Sequence, residues 1–353
     1  MRTSALPRSV QVVCLVLAGM PALCAAQSST VTLYGLLDAA VRRASNISTG
    51  GSDVTMEDGI FTGSRLGLRI REDLGGGLSA LVTMESGFEP GSGESLQASP
   101  TADYGQVAAD PRFWGREIHV GLRKGDLWGV TVGRQYTLAH QMTARFQPQG
   151  NPNNLALSIF SSHHIARQDN VLKLDTKVAG VELAASRTFG EVADNQGSDA
   201  WALSAGYGTA GPLFIGGYVQ QLKNVSDTEE RKIIGLGGNY KITPKTSVFA
   251  GAMRRSNAVS PQKNKVGTLG VNFPVHQAVT LTLAYLHDKQ TGSGALDGSR
   301  RVGYAAASYA FSRRSDVYVV WDHNDVEGGY AKPAFMNTKG SQNAFSVALR
   351  HRF

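Results

Sequence analysis

Cysteine is almost missing from this chain of 353 residues, and the two present, Cys14 and Cys24, lie near its start. No helix-length apolar run follows them: nothing beyond residue 27 approaches the roughly 20 consecutive apolar residues that a helix needs to cross a bilayer. Blocks of Lys and Arg are lacking too, so the basic excess gives no footprint for nucleic acid. There is no G-x-S-x-G elbow and no phosphate-binding loop. These absences argue against a disulfide scaffold, a helical membrane protein, a nucleic-acid binder and the commoner hydrolases and nucleotide enzymes. No cofactor or metal is expected.

The start of the chain carries a pattern of its own. Arg2 and Arg8 precede a short apolar core from Val10 to Ala18, and small residues lead to Ala26. This is the form of a secretory signal peptide over residues 1–26, with the exported chain beginning at Gln27. Leu23 stands where a lipoprotein signal needs a small residue, which argues against lipidation of Cys24. Both cysteines then leave with the signal, and the exported chain has no thiol to cross-link or ligate. Removing Arg2 and Arg8 leaves 33 basic against 28 acidic residues, a net charge of +5.

What the chain has in abundance is alternation of period two, the signature of strands with one apolar face. From Thr30 to Arg42, Val31, Leu33, Leu37, Ala39 and Val41 share one face, and Thr32, Tyr34, Asp38 and Arg42 the other. In the next strand Leu66, Leu68 and Ile70 stand opposite Arg65, Arg69 and Arg71. The connections come in two sizes that alternate. Short ones carry Gly75-Gly76-Gly77, Lys124-Gly125-Asp126, Ala179-Gly180, Ala210-Gly211, Thr243-Pro244 and Pro274-Val275. Long ones fall near 45–60, 91–111, 137–165, 191–198, 223–230, 257–264, 290–299 and 327–342. Eight long loops imply 16 strands in an antiparallel meander, with short turns on the periplasmic side and long loops outside. A soluble sandwich would show strands of five or six residues and no such asymmetry. Lipid cannot satisfy an open sheet edge, so the strands must close, and Asn343 to Phe353 is expected to pair with Thr30 to Arg42. The expected fold is therefore an all-β, 16-stranded transmembrane barrel over residues 27–353.

Several segments also resemble a known family, the trimeric general porins of β-proteobacterial outer membranes. They are Ser28-Ser29-Thr30-Val31-Thr32-Leu33-Tyr34-Gly35, Ser64-Arg65-Leu66-Gly67-Leu68-Arg69, Glu72-Asp73-Leu74-Gly75-Gly76-Gly77 and Leu81 to Phe88. Val120-Gly121-Leu122, Gly133-Arg134-Gln135-Tyr136-Thr137 and the ending Arg350-His351-Arg352-Phe353 match as well. The resemblance implies a homotrimer, a third loop folded into the lumen, and Phe353 as the signal read by the barrel assembly machinery. Other expected partners are outer-membrane lipid, lipopolysaccharide, small ions and hydrophilic solutes; nucleic acid is not among them.

Pore-lining candidates follow from strand phase. Arg42, Arg65, Arg69, Arg71, Lys173 and Arg350 fall on the polar face, with Asp38, Glu85 and Glu117 as wall acids. Arg134 is out of phase. An arginine facing lipid at mid-bilayer costs about 2–4 kcal/mol, so a bulge turning it inward is expected. The third loop, Leu138 to Ile165, carries Arg145, His140, His163 and His164 and no carboxylate. The family arrangement sets acidic loop residues against basic wall residues; without the acids, the pore is expected to favour anions. The three histidines read as solvated loop residues and not as metal ligands, since adjacent His163 and His164 would point to opposite faces. Trp114, Trp128, Trp201, Trp321, Tyr285, Tyr309 and Phe311 read as interface girdles. An outer-membrane barrel with another task, such as a specific channel, an adhesin or a hydrolase, is the alternative, with His119 and Ser204 as the pair a hydrolase would use.

Overall fold

The computed structural model describes residues 29–97, 104–106, 112–208 and 210–353. Residues 1–28, among them the stretch 1–26 expected as a signal peptide and both cysteines, lie outside the described residues, as do part of the second long connection and residue 209. Within them, 16 antiparallel strands form one closed ring. They are β1 (Ser29–Ser45), β2 in two segments (Ser52–Asp58 and Arg65–Gly75), β3 (Leu78–Phe88), β4 (Glu117–Lys124), β5 (Trp128–Tyr136) and β6 (Arg167–Val178). Next come β7 (Val181–Thr188), β8 (Ala200–Tyr207), β9 (Leu213–Lys223), β10 (Glu230–Lys241) and β11 (Ser247–Asn257). The ring ends with β12 (Lys263–Pro274), β13 (Val279–Thr291), β14 (Gly298–Ala310), β15 (Ser315–Gly328) and β16 (Gly340–Arg352). A two-residue strand, Ser95–Leu96, adds to the end of β3.

Closure is made as the alternation requires. β16 pairs with β1 from Leu36↔Arg352 to Ala44↔Ala344, leaving no edge unpaired across the apolar band. The short turns need left-handed backbone, which is why glycine fills one of them: Gly75, Gly76 and Gly77 have φ of +84°, +59° and +77°.

One connection differs from its expected form. The first long loop, placed at 45–60, contains the first segment of β2, so the chain turns back at 46–51. That segment pairs with the upper half of β1, from Ala39↔Asp58 to Ser45↔Ser52. The second segment takes the lower half, from Ser29↔Glu72 to Leu36↔Arg65. Between them residues 59–64 leave the wall and turn into the lumen, burying Ile60 and Phe61 completely. The alternation of Val54 and Met56, both exposed on the outside, was the signal for a strand here.

Outside, the barrel presents a continuous apolar surface. Val31, Leu33, Leu236 and Leu269 are each more than 60% exposed, a surface stable only against lipid. Trp128, Tyr309 and Phe311 are exposed near the short turns, and Trp201 sits near the long loops; Trp114 lies in the connector before β4, off the strands.

Inside, the 30-residue connection between β5 and β6 occupies the lumen. It opens with helix α1 (Leu138–Thr143), capped by the Thr137 hydroxyl, which accepts from the His140 N–H at 3.2 Å. Leu138, Ala139 and Met142 are buried. The loop packs on β8 to β16, and where it docks the inner wall carries an apolar patch: Tyr218, Ile233, Met253, Leu286, Val302 and Val320 form a core with Phe146, Leu157, Ile159 and Phe160 of the loop. The glycines of β10 and β11 make room for it. A Cβ at Gly237 or Gly251 would lie 2.6 Å from Phe146.

Candidate functional site

The lumen is narrowed by the third loop, so its chemistry depends on which side chains hold the loop and which remain accessible around it. The loop is tied to the wall by its own backbone. Asn153 N–H and Asn154 N–H donate to the carbonyls of Phe61 and Ile60 at 3.2 and 3.0 Å. Arg300 donates to the carbonyls of Leu155 and Ala156 at 2.8 and 3.1 Å, and Tyr304 donates to that of Pro148 at 3.1 Å. These contacts satisfy a buried, irregular backbone that would otherwise cost about 1–3 kcal/mol per orphan group.

The loop histidines are not solvated, which corrects the reading from sequence. His163 and His164 are 2% and 1% exposed. His163 Nε2 lies 2.7 Å from Asp288 Oδ2, while its Nδ1 faces Arg255 Nη1 at 3.5 Å. That network assigns the neutral ring a proton on Nε2, donated to the carboxylate. Adjacent residues do point apart, as expected: His164 turns the other way and its Nε2 meets His140 Nδ1 at 3.2 Å. Burial lowers all three. His164 falls to about 3, His140 falls well below 6.5, and for His163 burial outweighs the raising effect of Asp288. The sequence offered no sign of this, because a loop laid across a lumen is packed like a core.

The basic residues selected by phase divide into two groups. Some are neutralised in place. Arg42 is 4% exposed and pairs with both oxygens of Asp322, at 2.6 and 2.9 Å. Arg350 makes the same bidentate contact with Asp316, at 3.1 and 2.8 Å. Arg134 meets Asp169 at 2.7 Å, and the strand register shifts between Gly133 and Gln135, a bulge with Gly133 at φ +127°. Others stand without such a partner among the described residues. Arg69 lies over the Tyr34 ring at 4.0 Å and Arg71 donates to the Ser79 hydroxyl at 3.2 Å, both toward the short-turn side. Lys173 borders a lumen cavity of about 520 Å³ together with Arg123, Arg145 and Glu182.

The acids are equally placed to hold structure. Asp38 is buried and accepts from Thr62 and Tyr318 at 2.7 and 2.8 Å. Glu85 sits between Arg116 at 2.6 Å and Arg65 at 3.7 Å, and accepts from Tyr34. Glu117 contacts His119 at 3.2 Å. Three strands, β5 to β7, separate His119 from Ser204 on β8, so they make no catalytic pair.

Two chambers flank the loop. The first, about 280 Å³, is lined by Arg65, Arg116 and Arg167 with loop residues such as Asn151, Asn153 and Ser158. The second, about 250 Å³, is lined by Arg255, Arg300 and Lys332 with His163 and Tyr330. Neither lining contains a carboxylate. Of these six cations only Arg65 was among the residues chosen from sequence. Phase could have found Arg255, which follows Met253 onto the inner face, but Arg300 is followed on that face by Val302 and Tyr304, which read as lipid-facing.

Comparison with known proteins agrees with this architecture. A family profile, Gram-negative porin, matches residues 13–329. An outer membrane porin of Bordetella pertussis is 26% identical, covering 93% of this chain and 96% of its own length. The major outer membrane protein P.IB of Neisseria meningitidis serogroup A is 24% identical over 97% of this chain and 98% of its own. Among solved structures, an anion-selective porin from Comamonas acidovorans superposes with a TM-score of 0.76 at 22% identity, covering 92% of this chain and all of the other. A trimer form of an outer membrane protein of Vibrio cholerae, OmpT, gives 0.67 at 15% identity, covering 92% of this chain and 100% of its own.

Proposed function

The chain belongs to the Gram-negative porin family and forms a diffusion channel in the outer membrane, and from that premise we propose that its lumen prefers anions. The observation that carries the preference is the pair of chambers beside the third loop, each lined by three cations and no carboxylate, where Glu85 behind the first wall offsets only one of the charges of Arg65, Arg116 and Arg167. An ion passing the loop there lies within a Debye length of about 8 Å of fixed positive charge at physiological salt. The loop supplies no acid to offset it. Reversal potentials across a KCl gradient test this directly: chloride should carry the larger share of current, with the preference fading at high salt. A cation-selective channel would overturn the reading.

The same proposal takes the chain as a homotrimer that catalyses no reaction, exported through residues 1–26 and inserted by the barrel assembly machinery through Phe353. The trimer form of a structural relative supports the first point. Unheated in SDS, the protein should migrate at about three times the mass it shows as a monomer after boiling. Material running only as a monomer without heating would remove the trimer.

A further inference from the structure

The outer surface carries a cationic row that the channel does not use. On β11, β12 and β13, Arg254 pairs directly with Lys265, and Lys265 with Lys289. All three side chains are exposed and lie on the lipid-facing phase, beside Ala252, Gly267 and His287 one step lower. They are close to the 258–262 and 292–297 loops, which places them at the outer-leaflet interface. Like charges directly opposite one another on a sheet are destabilising. Among the described residues none of the three has an acidic partner, whereas their neighbour Arg301 is held by Asp325 at 2.6 Å and by Glu327.

Immediately below the row is a groove of about 690 Å³, headed by Lys265 and Lys289. Its floor is formed by Ala252 and Gly267, and its sides by Leu236, Leu269 and Tyr285. The floor is low because position 267 lacks a side chain, and a Cβ there would meet nothing within 4 Å. Cations above an apolar trough in a membrane-facing wall match one kind of occupant: a lipid with phosphate on its headgroup and acyl chains beneath. We propose that Arg254, Lys265 and Lys289 bind the phosphates of an outer-leaflet glycolipid, with an acyl chain lying in the groove over Gly267.

The test uses the intact protein in mild detergent, titrated with bisphosphorylated lipid A and followed by native mass spectrometry. Changing Arg254, Lys265 and Lys289 together to Gln should weaken binding about tenfold or more. Removing the phosphates from the lipid should do the same to the unaltered protein, an arm that needs no variant to fold. Gly267→Leu, which fills the groove, should weaken the acylated lipid. Equal affinity for the triple variant or for the dephosphorylated lipid would overturn the proposal. So would inorganic phosphate binding as tightly as the lipid, or a triple variant that loses only its trimer band, which would make this face a subunit contact. Conductance, measured on the same samples, reports on the channel separately, because all these side chains lie outside the lumen.

Discussion

Phe353 closes the barrel on Gly35. Their backbones exchange two hydrogen bonds, Gly35 N–H to the Phe353 carbonyl at 3.0 Å and Phe353 N–H to the Gly35 carbonyl at 3.1 Å. The phenyl ring lies over the glycine so closely that a Cβ there would stand 2.2 Å from it. The terminal aromatic is thus fitted to a gap in the first strand, at the seam where the sheet becomes a ring.

Gly35→Val should therefore impair closure as deletion of Phe353 does, while export proceeds in both. The measurement is the yield of heat-modifiable band in outer-membrane fractions. Normal yield from the deletion would show that this end is not the assembly signal. Normal yield from Gly35→Val would show that the ring can turn away without loss.

The Arg42–Asp322 pair ties β1 to β15 across β16, with Ser346 of β16 also bonded to Arg42 at 3.2 Å. Both charges are buried, so removing one leaves the other uncompensated, at a cost of about 3–5 kcal/mol. Asp322→Asn should lower the temperature at which the folded band converts to the unfolded one. Changing Arg301, whose pairs with Asp325 and Glu327 are exposed on the outside of the barrel near the long loops, should shift it little. Equal shifts would show that burial is not what gives the first pair its weight.

Acid should loosen the third loop. Docked, His140, His163 and His164 have affinities for protons below that of a free histidine because they are buried. Lifted into water they would titrate near 6.5. Below that pH the undocked loop binds more protons, so docking is at full strength above pH 6.5 and weakens as pH falls, down to about 3, where docked His164 itself titrates. Single-channel current should become noisier from pH 7 to pH 4, and His163→Gln with His164→Gln should flatten that response. A trace from the parent that is equally quiet at both ends would contradict the assignment.

Much of the barrel is legible in the sequence, because half of each strand faces lipid and lipid tolerates only apolar side chains. Val31, Leu33 and Val41 mark the outer face of β1 on that ground, and the two sizes of connection count the strands. The polar-inside half of the rule fails on part of β8 to β16. There the inner wall meets the third loop instead of water, so Ile233, Leu286 and Val320 are as apolar as any lipid-facing residue. Long-range pairings are also invisible: nothing in the spacing joins Arg42 to a carboxylate 280 positions later. The charge at the constriction depends on those pairings, which is why Arg42 is neutralised where Arg167 is not.

That distinction gives the last prediction. Arg167 is held by the Tyr136 hydroxyl at 2.5 Å and lies in the first chamber; Arg300 lies in the second and is bonded to Asn324 and to loop carbonyls. Neither spends its charge on an acid among the described residues. A unit charge 4–8 Å from a passing ion contributes ~0.5–1 kcal/mol in water, so losing one should reduce the chloride preference about two- to sixfold. Arg167→Gln and Arg300→Gln should each show a fall in that range in the reversal potential. Arg69→Ala, on the wall toward the short turns, should show less. Arg134→Ala leaves Asp169 still paired with Arg112 at 2.7 Å, so its effect should be small as well. If Arg69→Ala abolishes the preference while Arg167→Gln and Arg300→Gln leave it intact, selectivity resides in the lower wall and the chambers beside the loop are not the filter.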